Sequence, residues 1–252
     1  MAFACPVLEP HPTVFDAYDL CFHHIIVLYM YNFVLDVADG FGHDVKVFVP
    51  DNVTERQLQS YNPFCNWKAT LRQNLELQHT DENHTFHHDP YVLRSITVQS
   101  VDWFGGRIGF VKLSANVQNS RRGTLPGITM LRGGFVSVLM ILRPRNTQDE
   151  RYVLLAAQPR LPAASLQFLE MPSGMISESV DFAGASAFEI KEEMNVKLNS
   201  SDLLNLSELA QQYSSVDESF LHKAIYPMAG GSDEFVVIFL WEKVSSNLGG
   251  CE

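Results

Sequence analysis

The chain has 252 residues, 46% of them hydrophobic, enough to bury a full core in one domain with an extension. Its formal net charge of −11, from 29 acidic and 18 basic residues, speaks against nucleic acid as a partner, which requires basic patches. The four cysteines (Cys5, Cys21, Cys65 and Cys251) have no CxxC spacing. That pattern argues against a disulfide framework and a zinc site, and predicts reduced thiols in an intracellular setting, cytoplasm first, with an organelle left open.

Residues 1–44 read as an N-terminal extension. The apolar run from Phe22 to Leu35 is interrupted by His23, His24 and Asn32, and is shorter than the roughly 20 apolar residues that span a bilayer. No Lys or Arg precedes Lys46, so the basic start of a signal peptide is missing. The expectation is an extra helix or strand packed on the body, or a leader outside it, with no membrane partner. Residues 45–90 read as an accessory strand, helix and connector. Val45 to Val49 alternates as a strand, Thr54 caps a helix, and Phe64, Trp67 and Leu71 give that helix its apolar stripe. His79 to Asp89 is polar and reads as a connector. The pairs His23-His24 and His87-His88 lack further ligands at a recognisable spacing, so no zinc site is read from them.

Tyr91 to Val117 predicts a long hairpin turning at Phe104-Gly105-Gly106-Arg107, with Trp103 and Phe104 exposed at its tip. After a second turn at Pro126-Gly127, the apolar run Phe135 to Leu142 predicts a buried strand. Arg151 to Ala157 is its expected partner. Leu166 to Met171 is another strand, stopped by Pro172-Ser173-Gly174, and Glu234 to Val244 is the last. Between them Asp181 opens a helix whose face Ala183, Ala187, Ile190 and Met194 is a stripe to bury. Strands, one helix and more strands make an α+β fold with a mixed sheet.

The opposite side of that helix carries chemistry. Glu189, Glu192 and Glu193 lie within a narrow arc, since residues three and four apart share a face. Three packed carboxylates repel one another unless a cation sits among them, and an all-oxygen set suits Mg²⁺ or Mn²⁺.

The segment from Gly174 to Val196 resembles the Nudix box: Gly, five residues, Glu, seven residues, then Arg-Glu-aliphatic-x-Glu-Glu-x-Gly-aliphatic. The likeness is greatest to plant-type ADP-sugar diphosphatases and runs from about Val45 to Val244. It includes Val101 to Gly105, Gln158-Pro159-Arg160, Leu169 to Gly174 and Gly230-Gly231-Ser232-Asp233-Glu234. The resemblance implies an α/β/α sandwich over residues 91–252 and hydrolysis of a nucleotide sugar's pyrophosphate. It implies Glu189, Glu192, Glu193 and the Ser173 carbonyl as ligands of Mg²⁺ or Mn²⁺. Glu234, on a late loop whose glycines allow closure, is implied as ligand or base. Arg160 is expected to contact phosphate by bidentate hydrogen bonds, with Arg132 and Glu170 as further substrate-binding or structural residues. The resemblance also implies a homodimer, with Trp103 or Phe104 near the nucleotide base.

Three positions depart from the box: Val180 for its first Glu, Phe188 for its Arg and Asn195 for its Gly. Losing the arginine removes a positive charge beside three carboxylates. Two readings follow: a metal-dependent hydrolase giving AMP and sugar 1-phosphate, or a degenerate module that binds nucleotide or protein without turnover. Relatives in this resemblance continue with a second flanking helix, which is expected to be missing after Val244.

Overall fold

In a computed structural model the described residues are 30–121, 123–145, 150–176, 183, 199–212 and 220–245. The carboxylate helix, with Val180, Phe188, Glu189, Glu192, Glu193 and Asn195, lies outside them, as does the chain's end.

The first sheet has five strands in the order β1 (Met30–Leu35), β2 (Val45–Pro50), β3 (Val92–Phe104), β4 (Arg107–Gln118) and β5 (Ile128–Leu131). β2 and β3 run parallel, and the other neighbours are antiparallel. Alternating side chains supply one face, where Leu35, Val45, Val47, Val49, Leu93, Ile96, Val98, Val111 and Leu113 are buried. The end of the apolar N-terminal run is therefore an edge strand from Met30 onward. The β3–β4 hairpin bonds to β2 on one side and β5 on the other and shares this core. Gly105, at φ +64°, lets the two-residue turn close between Phe104 and Arg107.

Two helices cover the sheet where the spacing predicted one. Thr54 caps α1 (Glu55–Gln59) in a capping box with Gln57, and α2 (Asn62–Thr80) begins after extended Tyr61. Pro63 explains the break, because it has no N–H to donate and is tolerated only in a first turn. The Gln59 carbonyl accepts from the Cys65 thiol at 2.9 Å instead. Phe64, Trp67, Leu71 and Leu75 then pack on the core as one stripe.

The second sheet is mixed. Its order is β10 (Ser173–Met175), β6 (Phe135–Pro144), β12 (Val236–Ser245) and β11 (Leu204–Asn205), with β7 (Tyr152–Leu154) also pairing β6. β6 and β12 are parallel over ten residues, Phe135 opposite Val236. Val136, Val138, Met140, Val237, Phe239 and Trp241 form its core, against which Ile176 and Ala183 pack. The α+β class with a mixed sheet is thus what the described residues display.

Several boundaries differ from expectation. Arg151 to Ala157 is split: β7 joins the sheet, whereas β8 (Ala156–Arg160) leaves it to pair with β9 (Ser165–Glu170) in a separate hairpin. Pro172 does not end strand structure, since Ser173 to Met175 pair with Ser137 to Phe135. Short α3 (Leu206–Gln211), capped by Asn205, had no sequence expectation.

Candidate active site

A cleft of about 1330 Å³ opens between α2, the β3–β4 turn, the turn at Arg132-Gly133-Gly134 and the loop 228–235. Two segments a hundred residues apart meet there. Met130 N–H donates to the Gly231 carbonyl at 2.8 Å, and the Ser232 hydroxyl donates to the Met130 carbonyl at 3.0 Å. The glycine-flanked loop expected to be mobile is therefore docked along β5. Arg132 Nη1 and Glu234 Oε2 form an ion pair at 2.5 Å, with side chains 34% and 18% exposed. Glu234 reaches the cleft through Arg132, which lines it, rather than by lining it directly. Arg132 Nε is buried without a hydrogen-bond acceptor among the described residues. Its guanidinium lies 5.7 Å from the Phe110 ring centroid and 5.9 Å from that of Phe135, so aromatic faces hold it.

Asp233 sits behind this pair. Its carboxylate accepts from Arg132 N–H at 2.8 Å and from Gly133 N–H at 3.2 Å. Burial raises its pKa, and the two amides and the arginine oppose that shift. Tyr61, the residue before α2, donates its hydroxyl toward the carbonyls of Gly109 (2.8 Å) and Leu131 (3.1 Å). Burial, then the charge of Asp233, keeps that hydroxyl protonated far above neutral pH. Ile176 N–H donates to the Gly134 carbonyl at 3.1 Å, so the turn also holds the chain just before residues 177–198. Across the cleft His222 stacks on Phe235, centroids 4.3 Å apart, and this packing lowers the pKa of the imidazole.

The α2 wall is neutral. Asn62, Asn66, Thr70 and Asn74 line the cleft at successive steps of four, one face of a helix. Among the described residues, Arg107, Arg132 and Asp233 are the Asp, Glu, Lys and Arg residues lining it. The α2 wall thus offers uncharged hydrogen-bonding groups, while Arg107 and Arg132 are the cationic side chains of the described lining.

The remaining expected residues are placed elsewhere. Arg160 Nη2 and Nε lie 2.5 and 2.8 Å from Glu170 Oε1, pairing both on the β8–β9 hairpin, outside the cleft lining. The Ser173 hydroxyl donates to the Met171 carbonyl at 2.8 Å and lies 2.9 Å from the Ser137 hydroxyl. Trp103 is not exposed at the hairpin tip: it packs against the first core and does not line the cleft. A bulge between Val98 and Ser100 shifts the alternation of β3, putting Val101 and Trp103 on the inward side. Of the two aromatic residues at the hairpin tip, Phe104, 51% exposed and edge-on to Phe110, is the one that lines the cleft. Asp233 and Tyr61 had no place in the sequence reading. The aspartate stood in plain view beside Glu234, and Tyr61 is marked only by its position ahead of Pro63.

No family model matches the chain. A curated relative, Nudix hydrolase 14, chloroplastic, from Arabidopsis thaliana, is 35% identical over 151 residues, 59% of this chain and 45% of the relative. The chain thus spans a little under half of that relative's length in the match. A crystal structure of an ADP compounds hydrolase covers 64% of this chain and 74% of its own at 17% identity, with a TM-score of 0.36. That structural likeness is too slight to bear on function. The sequence likeness is to a Nudix hydrolase over part of that relative's length.

Proposed function

We propose that the chain hydrolyses the pyrophosphate bond of a nucleotide sugar of the ADP-glucose kind, giving AMP and a sugar 1-phosphate. The observation carrying this is the meeting of Arg132 and Glu234 at a cleft that Arg107 also lines. The 35% identity to a Nudix hydrolase adds support. In this reading Arg132 binds a phosphate oxygen through its remaining N–H donors. Glu234 accepts the proton of the attacking water as the phosphoanhydride P–O bond breaks and the leaving phosphate departs with its electron pair. Phe104 lies beside the base, and the neutral α2 wall faces the hydroxyls of the sugar.

Mg²⁺ or Mn²⁺ would be held by Glu189, Glu192, Glu193 and the Ser173 carbonyl, an oxygen-only set suited to a hard cation. Those glutamates lie outside the described residues, and among the described residues no group of three His, Cys, Asp or Glu is placed to hold a metal. Bound there, the cation would draw charge from the phosphate oxygens in the transition state. We place the active protein inside the cell and as a homodimer. Among the described residues no helix is long and apolar enough to cross a membrane.

The test is AMP release from a panel of nucleotide sugars with and without Mg²⁺. Release that needs Mg²⁺ and falls by about a hundredfold or more in Glu234→Gln is expected. Tight nucleotide binding without release would favour the degenerate module, for which the departures at Val180, Phe188 and Asn195 speak.

A further inference from the structure

Arg132 and Glu234 lie between two backbone contacts of their segments, Met130 N–H to the Gly231 carbonyl at 2.8 Å and Phe135 N–H to the Phe235 carbonyl at 2.9 Å. The ion pair between them is partly open to solvent, and such pairs hold geometry weakly. Something firmer lies directly behind it. Asp233 Oδ1 accepts from Arg132 N–H at 2.8 Å and from Gly133 N–H at 3.2 Å, and Oδ2 accepts from Gly133 N–H at 3.2 Å. Two successive backbone N–H groups converging on one anion make a nest, a concavity that elsewhere takes phosphate. Here the protein's own carboxylate fills it. Gly133 at φ +81° makes the convergence possible. The nest includes the amide of Arg132 itself, and its occupant is the residue before Glu234.

We propose that Asp233 is a positioning residue that fixes Arg132 against Glu234 by occupying the Arg132-Gly133 nest. The inference rests on the hydrolase reading above. It has two consequences for substrate. A phosphate is kept out of the nest and directed to the guanidinium. And Glu234 is held at one distance from the 132–134 turn, which through the Gly134 carbonyl also grips Ile176 at 3.1 Å, just ahead of residues 177–198. One internal anion thereby ties the 132–133 turn to the late loop between the backbone contacts at Met130 and Phe135.

The experiment compares Asp233→Ala and Asp233→Asn in the full chain, by kinetics on a nucleotide sugar and by NMR of the Arg132 and Gly133 amides. Alanine empties the nest, so kcat should fall on the order of a hundredfold, as for a misplaced catalytic group, with KM within about twofold. Asparagine keeps one acceptor oxygen and should restore most of kcat. That rescue is what a merely structural or charge role would not give. Wild-type kcat in Asp233→Ala, while both amides exchange faster with solvent, overturns the proposal. So does equal loss in the two variants. Should Asp233→Ala not fold, Asp233→Asn carries the test: a modest loss of kcat supports the clamp, and unchanged kcat with faster Gly133 exchange overturns it. Should the wild type itself release no AMP, the hydrolase reading fails while the clamp is still decided. The Arg132 Nε–H resonance should then move in Asp233→Ala and hold in Asp233→Asn, and an unmoved resonance in both sinks it.

Discussion

Gly134 shows how little room the site leaves for a side chain. A Cβ built there would stand 2.3 to 2.5 Å from three carbons of the Phe235 ring, closer than carbon atoms approach. The ring cannot retreat cheaply, because His222 is stacked on it and the second core lies against it. Gly134→Ala should therefore cost roughly 1–3 kcal/mol as an overpacked site, read as a melting point lowered by several degrees. It should also disturb the Ile176 bond and with it turnover. A melting point and rate both equal to wild type would show that the ring moves freely. Nothing in Arg-Gly-Gly as a sequence announces this, since a glycine required by a distant ring looks like any glycine in a turn. The same holds for Asp233, whose role depends on amides a hundred positions away. Glu234 and Arg132 could be named from the resemblance alone, because the roles it implies do not depend on knowing what they touch.

At the scale of elements, α2 is the most informative. Its core stripe is plain from the spacing of Phe64, Trp67 and Leu71, but nothing in the sequence marks the other face. Asn and Thr are poor interior helix residues, each about 0.5 kcal/mol worse than Ala. Asn66, Thr70 and Asn74 nonetheless occupy the cleft wall in consecutive turns. If they serve the substrate's sugar, the double variant Asn66→Ala/Asn74→Ala should raise KM for the nucleotide sugar several-fold, with kcat little changed, since uniform binding is what is lost. The same variant should melt at the wild-type temperature or slightly above it. An unaltered KM would return the stripe to plain surface. Strands were legible where alternation persisted, as in β2 and β4, and illegible where a bulge reset it, as in β3 ahead of Trp103. β10 was missed because three residues after a proline carry too little pattern to declare a strand; only the edge of β6 makes them one.

For the whole molecule, the assembly is the open prediction. The β8–β9 hairpin stands as a two-stranded sheet of its own, which is marginal in water without a third surface. It exposes Leu161 at 84%, Leu166 at 80% and Leu169 at 63%. In the homodimer proposed above, apolar area of this size is where a second copy would gain most by burying it. Sedimentation at micromolar concentration should show a dimer, and Leu166→Asp combined with Leu169→Asp should shift it toward monomer. A wild-type protein that sediments as a monomer while releasing AMP at full rate would remove both the dimer and this role for the hairpin.

The parallel pairing of β6 with β12 also governs how the chain comes off the ribosome. Phe135 finds its parallel partner only at Val236, so the central strand of the second sheet is made long before the strand that completes it. At about 5–20 residues per second, this interval is roughly 5–20 s of synthesis. The first sheet, complete by Leu131, can form during that time from segments already in hand. β6 meanwhile keeps an apolar edge open, with β7 and β10 able to cover only the other side. Arg132 waits through the same interval, because its partner carboxylates are among the last residues translated before β12. The Arg132–Glu234 pair can therefore form only once residue 234 has been made, after the whole first sheet is in hand.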